Sequence, residues 1–225
     1  MPKRKIPLET GHIYHVYFHA IDKLKIFNHS KNKKLFINII NYYQNQNTPV
    51  SFSNLNKNYS LPERLLVMKK LTEEKSFLVK IISFCCVSAH CHFTLEQIID
   101  NGISLFMKQV LSSFAHIYNH QNNRQGSLYR SRFSSRLVKN DNDLIHLTAY
   151  HHLHPYTNGL VDKYEEIFYY PFCSLPAYFG KKAPIRVNPE RVFEIIPPEE
   201  YQKYLSNRAQ HQKELEKYKR EETSY

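Results

Sequence analysis

Residues 79–98, VKIISFCCVSAHCHFTLEQI, decide the fold. The first half, residues 79–87, is a nearly continuous apolar run, the pattern of a central strand buried on both faces. After Ser88-Ala89, residues 90–98 alternate, which predicts an antiparallel partner strand. Successive side chains of a strand point to opposite faces. His90 and His92 therefore project side by side while Cys91 turns into the core. Working outward, residues 12–21 (HIYHVYFHAI) are rich in β-branched and aromatic side chains and read as a first strand. A helix follows from Ser30, and residues 45–60 are Asn/Ser-rich and read as loop, with a short helix over 62–71. Beyond residue 100, Ile103, Phe106, Met107, Val110, Leu111, Phe114, Ile117 and Tyr118 form one apolar stripe, a helix face turned to the core. Residues 127–138 read as a fourth strand. Asn140 or Asp141 then caps a helix running to about Leu153 and stopped by Pro155. The order β, α, insert, β, β, α, β, α predicts an α+β fold: a ferredoxin-like antiparallel sheet with helices on one face. Residues 1–180 form the expected domain, with an insert at about 45–75. Residues 181–225, interrupted by Pro184, Pro189 and Pro197-Pro198, read as a peripheral extension ending in a charged helix or tail.

Charge narrows the function. The chain of 225 residues has 31 Lys+Arg against 20 Asp+Glu, a net +11. Residues 199–225 hold six Glu and six Lys+Arg, so the whole excess lies before them. Between Asn101 and Asn140 stand Lys108, Arg124, Arg130, Arg132, Arg136 and Lys139 with no acidic residue. Such an acid-free stretch suits a surface that neutralises phosphates and releases counterions. No apolar run approaches the roughly 18–20 residues of a membrane span, and the N-terminus lacks the apolar core of a secretory signal. Four Cys with no C-x-x-C pair argue against a disulfide or zinc scaffold. The expected setting is the reducing cytoplasm.

Two features can carry chemistry. Two imidazoles at i and i+2 on a strand can hold a divalent ion given one more ligand. In Tyr150-His151-His152-Leu153-His154, Tyr150 and His154 are i and i+4 and share a helix face. A phenol beside a cation loses its proton more readily and becomes a nucleophile.

Those segments, together with GISLFMKQVLSSFAHIYNH and GSLYRSRFSSRLVKNDNDLIHLTAYHHLHPYTNGLV, resemble the single-tyrosine HUH transposases, most of all the REP-associated branch. The opening HIYHVYFHAIDKLKIF and the closing YYPFCSLPAYFG extend the resemblance over about residues 11–180. It implies a metal-dependent single-stranded DNA endonuclease and strand transferase acting at hairpin-containing DNA through a 5′-phosphotyrosine. Tyr150 would be the nucleophile, and His90 and His92 would bind Mg²⁺ or Mn²⁺. Arg130 and Arg132, within the basic stretch that includes Lys108, Arg124 and Arg136, would hold the strand. The class builds its active sites either within one chain or across a homodimer. Two departures stand out. Where relatives commonly place Asn-Pro, this chain has His154-Pro155, so a third imidazole stands where a polar ligand is usual and biases the site toward softer ions. Phe18-His19-Ala20-Ile21 replaces the Asn/Arg-Gly after the first strand. A scaffold that binds nucleic acid without turnover is the rival reading.

Overall fold

The computed structural model describes residues 7–181, 183 and 185–222. The basic N-terminal flank and Pro184 lie outside the described residues. The elements run β1 (Ile13–His19), α1 (Ser30–Tyr43), α2 (Phe52–Asn58), α3 (Leu61–Glu74), β2 (Val79–Cys86), β3 (His90–Gln97), α4 (Gly102–Gln121), β4 (Ser134–Leu137), α5 (Asp141–Thr157), α6 (Leu175–Tyr178), α7 (Glu190–Phe193) and α8 (Pro198–Glu222). The strands make one antiparallel sheet in the order β2-β3-β1-β4. The β1–α1–β2 crossover leaves a gap that β3 fills, which is the split β-α-β arrangement the sequence predicts.

Alternation then sorts the side chains. Tyr14, Val16 and Phe18 of β1 and Cys91, Phe93 and Leu95 of β3 join α1 and α4 in a first core. On the other face Ile82, Cys85 and Val87 meet Leu144, Ile145, Ala149 and Leu153 of α5 in a second. Helices therefore cover both faces of the sheet rather than one. The apolar run of β2, with Ile81 and Ile82 both inaccessible to solvent, requires this cover.

Four local expectations change. The Asn/Ser-rich stretch contains α2, because Ser51 caps it by accepting from Asn54 N and Phe52 and Leu55 supply a buried edge. The fourth strand shortens to Ser134–Leu137. The preceding segment crosses the end of β1, where Arg130 N donates to His19 O and only Ala20 and Tyr129 pair. α5 runs through Pro155 to Thr157. A proline leaves the carbonyl four residues back without its helical donor, and here Cys173 Sγ lies 3.7 Å from His151 O and takes that place. Beyond residue 180, finally, the chain closes the second core: Tyr201, Leu205 and Ala209 of α8 are buried with α5.

The last point has a stability consequence. Leu205→Ala should cost about 2–5 kcal/mol, the range for truncating a buried leucine, within one cooperative urea transition. A loosely attached helix would leave the midpoint unchanged.

Candidate active site

The face of the sheet toward α5 is polar at its centre. In the register of β1 and β3, Tyr17 lies opposite His92, His19 opposite His90 and His15 opposite Thr94. Above them α5 lowers Tyr150, His151 and His154. Asn140 fixes its start by accepting from Asp143 N at 2.9 Å. On the far side of α5, His152 Nδ1 lies 2.8 Å from Tyr201 Oη and its Nε2 2.8 Å from Ser174 Oγ. Those bonds, with Gln212 Nε2 donating to Tyr150 O at 3.4 Å, set the rotation of the helix.

His90, His92 and His154 each offer a nitrogen within 4.8 Å of the other two, and His90 Nε2 stands 3.1 Å from His154 Nε2. The half-buried Tyr150 sits against this group, its ring centroid 4.8 Å from that of His154 and 5.7 Å from that of His92. The four side chains come together within one chain. Asn158 Nδ2 lies 3.2 Å from His154 Nδ1 at the back of that ring, a contact that orients the imidazole. A second group of three, His15, His92 and His151, abuts the first through the shared His92.

Burial favours the neutral form of His15, His90, His92, His151 and His152. It lowers His90 to about 4, helped by His19. It holds His92 well below its ordinary value, with His154, His151, His90 and His15 adding repulsion. His15 falls to about 4 through burial and then Arg136, and His152 to about 3 through burial. At neutral pH each of these five rings keeps one nitrogen lone pair, as metal ligation requires. The triad fits a divalent ion by donor type and spacing, and three nitrogens favour Mn²⁺ or a softer ion over Mg²⁺.

The basic residues divide. Arg136 faces His15 across the β1–β4 pairing and Arg130 stands close enough to lower His19, so both border the histidine face. Arg132 is exposed in the segment between them. Arg124 Nη1 donates to Asn119 Oδ1 and Gly126 O and braces the turn after α4. Lys108 is exposed on α4, across the sheet from the histidines. The sequence reading passed over His15 and His151. The alternation in HIYHVYFH did hold a signal, since it sets His15, Tyr17 and His19 on one face.

No family model and no curated protein matches this sequence. Among solved structures, a REP-associated tyrosine transposase bound to a REP hairpin is similar with a TM-score of 0.50, covering 84% of this chain and 92% of that chain at 11% identity. The chain thus shares the α+β transposase fold. Among the described residues, no helix is long and apolar enough to cross a membrane.

Neutral buried histidines make stability depend on pH. Unfolded histidines bind protons near 6.5 that His90 and His15 accept in the fold only near 4, so unfolding takes up protons between those values. Stability should therefore be full above about pH 6.5 and fall as pH drops toward 4, by up to about 1.4 kcal/mol per pH unit for each such group. Urea midpoints measured from pH 7.5 to 4.5 check this, and a flat profile would contradict it.

Proposed function

We propose that the protein is a metal-dependent single-stranded DNA endonuclease and strand transferase acting at hairpin-containing DNA, with Tyr150 as nucleophile. The observation that carries this reading is the seating of the Tyr150 ring against a group of three histidines spaced to hold one ion. The fold it shares with a hairpin-bound transposase supports it.

In this reading His90, His92 and His154 hold Mn²⁺ or Mg²⁺, which when bound polarises the scissile phosphate and favours the ionised phenol. Tyr150 gives up its proton to solvent, its Oη attacks the phosphorus, and the departing 3′-oxygen takes a proton from solvent in return. The bond from phosphorus to the 3′-oxygen breaks, so the products are a 5′-phosphotyrosine and a free 3′-hydroxyl. Attack by another 3′-hydroxyl on that linkage releases Tyr150 and joins the strands. Arg130, Arg132 and Arg136 hold the incoming backbone next to the histidine face. The acid-free stretch from residue 101 to 140 supplies the attraction. Four free, buried cysteines accord with a reducing cytoplasm.

Incubation with hairpin-bearing single-stranded oligonucleotides and Mn²⁺ should give a covalent adduct on denaturing gels. Tyr150→Phe should bind the same DNA and form none. An adduct in that variant would reassign the nucleophile, and binding with no adduct in the wild type would favour a nucleic-acid-binding protein without turnover.

Phosphate contacts have their own signature. Arg130→Ala and Arg136→Ala should each weaken binding evenly across sequences and reduce the slope of log affinity against log salt by about 1. Lys108→Ala, on the opposite layer, should leave that slope unchanged.

A further inference from the structure

Beside the triad that meets Tyr150, the second group of imidazoles has no role in the chemistry above, apart from the shared His92. β1 contributes His15, β3 His92 and α5 His151, and one nitrogen from each lies within 4.8 Å of the others. His15 Nε2 is 3.0 Å from His92 Nδ1. Two nitrogens on one tetrahedral ion, at bonds of about 2.0–2.1 Å, stand about 3.3 Å apart.

His151 supplies the independent detail. Its Nδ1 lies 2.8 Å from Ser83 Oγ, and Ser83 donates to Thr94 Oγ1 at 2.8 Å. A serine hydroxyl has one proton, and with it committed to Thr94 the oxygen accepts from His151 Nδ1–H. The neutral ring then carries a bare lone pair on Nε2, and that atom is buried with no hydrogen-bond partner among the described residues. A hydrogen-bonded Nδ1–H behind a bare Nε2 is what outer partners impose on metal-binding histidines.

We propose that His15, His92 and His151 form a second metal site, for a borderline divalent ion such as Zn²⁺, sharing His92 with the triad beside Tyr150. Three imidazoles with no carboxylate suit such an ion better than Mg²⁺. Arg136 stands opposite His15 and opposes any cation, so affinity must come from nitrogen donation, which again selects the softer ion. A cavity of about 310 Å³ bordered by His15, Arg136, Asp143 and His146 gives access and room for a fourth ligand. Because His92 turns Nδ1 to His15, its Nε2 is left for the first triad, and with both ions bound the ring bridges them as an imidazolate, its one N–H proton passing to solvent. The site needs no DNA and stands apart from the strand-transfer reading.

The full-length protein, stripped with a chelator, is titrated with Zn²⁺ by calorimetry and with Co²⁺ followed by its visible absorption. Two ions per wild-type chain are expected, one in His15→Phe and one in His90→Ala, with different Co²⁺ bands surviving in the two variants. The ion lost in His15→Phe should weaken by more than the roughly 10–100-fold that loss of an outer partner costs. An ion count that His15→Phe leaves unchanged overturns the proposal, whereas a single wild-type ion that His15→Phe loses and His90→Ala keeps supports it and counts against the first triad alone. If circular dichroism finds His15→Phe unfolded, His151→Gln decides by the same count.

Discussion

Strict alternation along β3 is the constraint on which the rest of the molecule depends. Cys91, Phe93 and Leu95 turn into one core, and His90, His92 and Thr94 turn toward α5. A slip of one residue would exchange the two sets, placing imidazoles among phenylalanines and leaving aromatic rings on the polar face. The register with β1, fixed from Ile13–Glu96 to His19–His90, excludes that slip. It also aligns a second polar row, His15, Tyr17 and His19, beside the first. The sheet therefore presents two polar rows to a single helix, and burial there favours the neutral form of His15, His90 and His92.

α5 has no single apolar face, which follows from what it must meet. Leu144, Ile145, Ala149 and Leu153 face the second core, Tyr150, His151 and His154 face the sheet, and His152 faces α8 and Ser174. Burial of polar rings on two sides is tolerable because most of their nitrogens find partners. The C-terminal extension matters here. Through Tyr201 and Gln212 it meets His152 and the backbone carbonyl of Tyr150, so a segment distant in sequence braces the helix that carries both. Pro155 does not break the helix because the carbonyl it frees, that of His151, meets Cys173.

Much of this could be read from the chain alone, for physical reasons that differ by element. The apolar run of β2 and the alternation of β3 are short-range patterns that burial enforces, so both strands and the His90–His92 pair were visible. The stripe from Ile103 to Tyr118 gave α4 in the same way. Helix spacing places His154 beside Tyr150, its grouping with the His90–His92 pair comes from the resemblance, and the structure brings those side chains together. α2 was hidden because asparagine and serine outweigh the two apolar residues that anchor it. The strand over 127–138 was overextended because alternation cannot reveal where a partner strand ends. His15 was missed because its meeting with His92 spans 77 residues and depends on the β1–β3 register.

The charge pattern, read with the fold, becomes a statement about direction. The same basic stretch that is uniform in sequence splits in space: Lys108 lies across the sheet, Arg124 braces a turn, and Arg130 and Arg136 border the histidine face. Both of the last two act on neighbouring imidazoles, because a guanidinium beside a histidine disfavours its proton as burial does. The arginines thus do two things from one position. In the proposed function they would draw a polyanion toward the face, and they disfavour protons on His15 and His19, which leaves a nitrogen lone pair on each. A positive border that repels protons also repels free cations, so hard ions gain little there without a phosphate to neutralise the arginines. Binding of the strand and of a hard metal would then be cooperative, whereas a softer ion held by nitrogen donation would need no strand at all.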